Sequence, residues 1–96
     1  MLIHWSEKAE EDAGEILVYI AQDNVTAAYA VFDAIQQQVN LLAEHPKLGR
    51  VGRIKGTREL VISGTPYITA YKISGEAIYI LRVLHGARNW NKQFNK

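Results

Sequence analysis

Ile78-Tyr79-Ile80-Leu81-Arg82-Val83-Leu84-His85-Gly86-Ala87-Arg88-Asn89-Trp90 is the stretch on which the fold class turns. Its first half is rich in Ile, Leu, Val and Tyr, the composition of a strand buried on a pleated surface. The pattern predicts a strand over 77–85. It breaks at His85-Gly86, and Arg88 and Trp90 follow within five residues. A stiff strand that delivers a histidine and an arginine to one edge of a sheet can position polar groups against a partner or substrate.

Upstream, Ser74-Gly75 reads as a tight hairpin turn, which makes 67–73 the preceding antiparallel strand and 59–63 the one before it. Before these strands the period changes. Ala28, Phe32, Ile35, Val39 and Leu42 recur every three or four residues, predicting a helix from about 25 to 44 that ends ahead of Pro46. Ala9, Ala13, Ile16, Leu17 and Ile20 predict an earlier amphipathic helix over 7–22, with Ser6 as N-cap and Glu7, Glu10 and Glu11 in its anion-favouring first turns. Leu2, Ile3 and Trp5 suggest a short opening strand. The expected fold is therefore α+β in the order β-α-α-β-β-β: an N-terminal strand, a helical hairpin and a three-stranded antiparallel sheet.

The chain has 96 residues, 48% of them hydrophobic and 22% charged. That is the composition of one globular domain, here residues 1–96, with a two-layer core. It contains no cysteine, which excludes disulfides and thiolate metal sites. No His/Asp/Glu cluster has metal-ligand spacing, and no glycine motif cradles a phosphate, so neither metal nor cofactor is expected. The N-terminus has no signal-peptide pattern and no apolar run nears the ~20 residues that span a membrane. The cytoplasm is the expected compartment.

A net charge of +1 conceals a segregation. Residues 1–45 hold eight acids and one base, whereas residues 46–96 hold ten bases and only two acids, Glu59 and Glu76. Such a split builds a basic face for an acidic protein segment or nucleic acid, or it serves pairing between the acidic helices and the basic sheet within the chain. Five of the bases (Lys47, Arg50, Arg53, Lys55 and Arg58) lie with three glycines in the loop 46–58. They could follow phosphates, meet an acidic partner or solvate the loop. No aromatic residue interrupts 47–58, so stacking recognition of single-stranded RNA is not specially supported there.

Element order and local residues together resemble the RelE/ParE toxin superfamily of bacterial type II toxin–antitoxin modules, with the ParE side the better fit. The residues that carry the likeness span almost the whole chain. They are Trp5-Ser6 with Ala9 and Asp12, Ile35 and Leu42, His45-Pro46-x-x-Gly49-Arg50, Gly56-Thr57-Arg58-Glu59-Leu60, Pro66-Tyr67-Ile68 with Tyr71, and Arg82-Val83-Leu84-His85 with Arg88 and Trp90. The resemblance implies a small toxin, neutralised by a cognate antitoxin that wraps along it in a hetero-oligomer. It also implies one of two targets. ParE-like toxins are associated with inhibition of DNA gyrase, and RelE-like toxins enter the ribosome and cleave mRNA without a metal.

RNA cleavage by 2′-hydroxyl attack needs a base, an acid and cations around an anionic transition state. In RelE-like chains an arginine follows the aromatic residue on the strand that matches Tyr67 to Tyr71. Here that position is Ile68, which cannot stabilise a phosphate and counts against the nuclease. The first expectation is thus a ParE-like, gyrase-binding toxin without chemistry of its own. The second is a ribosome-dependent endoribonuclease using His85 as acid or base and Arg88 as phosphate clamp. The third is a degenerate member that binds its antitoxin and poisons nothing. Against a catalytic role, His85 can cap the strand end by bonding a backbone carbonyl. Arg82, inside an apolar run, suits pairing with an acid on a helix or in the antitoxin. The expected partner-binding residues are Arg50, Arg53, Lys55, Arg58, Tyr71 and Arg82. Tyr67, Tyr71 and Tyr79 either line a groove or fill the core, and Trp5 and Trp90 are expected to pack locally.

Overall fold

The computed structural model describes residues 1–94. Its elements are β1 (Leu2–Trp5), α1 (Glu7–Ala21), α2 (Val25–Asn40), a 3-10 turn (Leu41–Ala43), β2 (Arg50–Val51), β3 (Arg58–Val61), β4 (Tyr67–Ser74), β5 (Ala77–His85) and α3 (Trp90–Phe94). The α+β expectation holds, with four strands after the helices in place of three. The added strand, β2, is two residues long and sits among glycines and bases, too short for a period-2 pattern to mark it. The hairpin turn lies one residue later than expected: Ser74 pairs Ala77, so Gly75-Glu76 form it, with Gly75 at φ 61. The second helix tightens into its 3-10 turn after Asn40 and places Leu42 in the core.

All five strands form one sheet in the order β1-β5-β4-β3-β2. β5 is antiparallel to β4 but parallel to β1. The helical hairpin covers one face. Ala9, Ile35, Val39 and Leu42 from the helices meet Leu60, Ile62, Tyr67, Tyr71, Ile78, Ile80 and Val83 from the sheet, with Trp5 packed at the margin. On the opposite face Ile68, Ala70, Leu84 and Trp90 make a second, smaller cluster.

The register of β5 slips between its pairs Ala70–Arg82 and Tyr71–Ile80, leaving Leu81 as the extra residue of a bulge. The bulge inverts the alternation. Ile78, Ile80 and Val83 thereby all reach the helix-covered core, while Leu84 joins the opposite cluster. β1 stops pairing at Ile80, and from there α1 covers the exposed edge. Ser6 caps the helix by accepting the Ala9 N–H (3.0 Å) and donates its hydroxyl to the Leu81 carbonyl (3.0 Å). Six residues on, Asp12 accepts the Val83 N–H (3.0 Å). No helix among the described residues is long and apolar enough to cross a membrane.

Candidate functional site

The basic loop is held from beneath. The Tyr71 hydroxyl donates to the Pro46 carbonyl (2.7 Å) and accepts the Gly49 N–H (2.9 Å). A Cβ on residue 49 would stand 2.7 Å from that ring, so glycine is needed where the loop crosses the tyrosine. At the loop's far end Glu59 is buried. Its carboxylate accepts the Arg53 backbone N–H (2.7 Å), Arg53 Nε (3.1 Å) and an Arg50 guanidinium nitrogen (3.1 Å). Burial alone would raise its pKa. The bonds from the Arg53 side chain and amide and from Arg50 overcome that and hold it below the ordinary value. Arg53 also donates to the Gly86 carbonyl (3.3 Å) and lies 4.0 Å over the Trp90 ring. Arg58 donates to the Gly49 carbonyl (2.7 Å). Lys47 and Lys55 remain exposed.

Asp12 and Arg82 form a second centre at the β5 edge. Arg82 donates through Nε (2.7 Å) and a terminal nitrogen (3.0 Å) to the two carboxylate oxygens, a fork-to-fork pair. Its remaining nitrogen donates to the Gln93 carbonyl and ties α3 to α1. The bond to Asp12 raises the Arg82 pKa against an opposing effect of burial, so the guanidinium stays charged inside the protein.

Beside this pair runs a groove of about 410 Å³ lined by residues that include Glu15, Ile16, Tyr19, Tyr67, His85 and Arg88. Burial raises the Tyr67 pKa, the neighbouring Tyr19 adds to the rise, and Arg88 opposes it. His85 Nδ1 accepts the Ala87 N–H (3.1 Å), and its ring meets Tyr67 edge-on at 5.9 Å. The histidine does cap the strand end, but through a backbone amide and not the expected carbonyl. His85 and Arg88 thus share a groove, which Arg50, Lys55 and Arg58 do not line.

This arrangement belongs to a known family. A family model described as the ParE toxin of type II toxin–antitoxin system, parDE, matches residues 3–90. The chain belongs to the ParE toxin family. Among its relatives, the Sinorhizobium fredii protein named "Putative toxin Y4kP" is 44% identical over 88 residues, covering 92% of this chain and 91% of that protein. Toxin RelE2 of Caulobacter vibrioides is 32% identical over 84 residues, covering 88% and 93%. A solved structure described as a chromosomal ParDE TA system from P. aeruginosa superposes with TM-score 0.79 at 26% identity, covering 88% of this chain and 95% of that one.

Within this ParE-family fold Tyr71 is fully buried and Arg82 nearly so; the Tyr71 hydroxyl is spent on the loop and the Arg82 guanidinium on Asp12, and Arg82 still lines the groove beside β5. Of the two pairings weighed for Arg82, the structure shows the acid on a helix. Trp90 does not merely pack locally, since it reaches across to Ile68 and lies under Arg53. Ile68 fills that apolar cluster. The centre that sequence reasoning missed is Glu59. A signal for it existed: it is one of only two acids in residues 46–96, and it stands on a strand beside five bases.

Proposed function

We propose that residues 1–96 act as a single toxin domain that inhibits growth by binding DNA gyrase, with no chemistry of its own, and that a cognate antitoxin neutralises it in a hetero-oligomer. The observation that carries the gyrase reading is the state of the arginines. Arg50 and Arg53 are bound to Glu59, Arg82 to Asp12 and Arg58 to a carbonyl, and the position beside Tyr67 is apolar. A phosphorane-like transition state would find few free cations converging on it. The solved neighbour's description as a ParDE system supports the antitoxin partner. Its docking segment lies along the groove beside β5 and offers acids to Arg88, to Lys55 and to the exposed sides of Arg50 and Arg53. The compartment is the cytoplasm, where gyrase works.

Purified toxin, free of antitoxin, is expected to block supercoiling of relaxed plasmid by gyrase or to trap cleaved DNA. Normal supercoiling with no cleaved product at excess toxin sinks the gyrase target. The shared groove of His85 and Arg88 favours one second reading, a ribosome-dependent mRNA endoribonuclease. That reading requires codon-positioned breaks on programmed ribosomes that vanish in His85→Ala and Arg88→Ala. Induction of the lone chain separates the two, since one predicts a DNA damage response and the other translation arrest. Unaffected growth would mark a non-toxic member.

A further inference from the structure

The two outer strands of the sheet are protected unequally. An edge strand offers unpaired N–H and C=O groups, which proteins screen with charge, proline or a bulge. At one edge β2 carries Arg50, with Lys47, Arg53 and Lys55 close by in the chain, and like charge keeps two such edges apart. At the other edge β1 is Leu2-Ile3-His4-Trp5, paired in regular register with no Asp, Glu, Lys, Arg or Pro. Its pairing with β5 fixes which backbone groups are spent. The Leu2 N–H donates to the Glu76 carbonyl (3.4 Å) and the Ser6 N–H to the Ile80 carbonyl (2.9 Å), so the even-numbered residues face β5. The N–H and C=O of Ile3 and Trp5 point the other way, and none of them has a partner among the described residues. Beside this open edge Leu2 is 70% exposed, and Tyr79, whose ring stacks on His4 at 5.4 Å, is 38% exposed.

We propose that β1 pairs antiparallel with β1 of a second copy of this chain, about a two-fold axis through His4. In that register Ile3 stands opposite Trp5 of the copy, and Trp5 opposite its Ile3. Both are pairs of the kind that exchange two N–H···O bonds, so every free group of the edge is satisfied at once. Moving the axis to Trp5 would set Ile3 opposite Glu7, which is already helical. Moving it to Ile3 would set Trp5 opposite residue 1, outside the strand. The occupant is a second copy because a two-fold contact needs one patch that matches itself. The donors and acceptors of β1 do so, and no ionised side chain on the strand opposes it. The two sheets join into one, with both helical hairpins on the same face. On the other face the two His4 side chains meet at the axis, their Cα atoms about 4.5 Å apart. The pairing depends neither on the toxin's target nor on an antitoxin.

The test is sedimentation equilibrium of the purified full chain at low salt and about pH 8, above the ordinary histidine range. A contact this small should give a monomer–dimer equilibrium with a Kd of roughly 10–100 μM. His4→Lys and His4→Glu each set like charges against each other across the axis, and each should weaken the dimer at least about tenfold. An equimolar mixture of the two variants should recover a dimer containing one of each, because opposite charges now meet there. His4 is exposed, so both variants should melt cooperatively near the wild-type temperature. Recovery on mixing also separates a lost contact from a lost fold, since mixing does not refold a chain. A wild-type chain that stays monomeric at about 1 mM overturns the proposal. So does a His4→Lys chain that dimerises as well as wild type, which would place the contact on another surface. A mixture no more associated than its parts overturns it too, by removing His4 from the axis.

Discussion

The two arginine–carboxylate centres use the same chemistry to different ends. Asp12 and Arg82 are seventy residues apart in the chain, and both side chains are 8% exposed. Glu59 draws its partners from six and nine residues away. Its own side chain is 1% exposed, while those of Arg53 and Arg50 are 41% and 59% exposed. The first pair is sealed and serves to join α1, β5 and α3. The second is anchored on the acid side and open on the arginine side, so it orders a loop while presenting cations to a partner. A buried carboxylate can thus be structural while the arginines it holds are surface.

The largest effect should come from the sealed pair. Asp12→Ala leaves Arg82 buried without a counter-charge and the Val83 N–H unpaired, a loss of about 4 kcal/mol that denaturant unfolding would register. A loss under 1 kcal/mol would show that the pair is not sealed. Glu59→Gln keeps the shape and removes the charge, with an expected cost of about 2 kcal/mol at neutral pH. Its pH dependence sharpens the contrast. The folded pKa of Glu59 lies below the reference 4.5, so its stabilisation is fully present above that pH and fades as pH falls through the folded value. The stability gap between wild type and Glu59→Gln should therefore narrow below pH 4.5.

Arg53→Lys loses the planar stack on Trp90 and part of the fork on Glu59. It should cost about 1 kcal/mol and shift the tryptophan emission. The smallest effect is expected for Arg50→Ala, about 0.5 kcal/mol and erased by high salt, because most of that side chain is in water. A loss as large as that of Asp12→Ala would dissolve the distinction between the centres.

Much of this was legible beforehand. The helical hairpin follows from apolar stripes of period 3.6 and the Ser6 cap, and β4 and β5 from their β-branched and aromatic runs. Asp12 could have been read as well, because it stands on the same helix face as Ala9, Ala13 and Ile16, where an acid needs a buried cation. The parallel pairing of β1 with β5 was not legible, since four residues carry no mark of strand direction. Nor was the bulge at Leu81, because Ile80 and Arg82 read equally well on either side of a regular strand.

The sequence by itself determined the element types, the α+β class, the family likeness and the charge division, because local periodicity and composition are properties of neighbours along the chain. Only the tertiary structure decided which charges were spent. Pairing Arg82 with Asp12 and placing Tyr71 under the loop are matters of distance between segments far apart in sequence. Burial, which turns a cation from a contact into a brace, exists only once those segments meet.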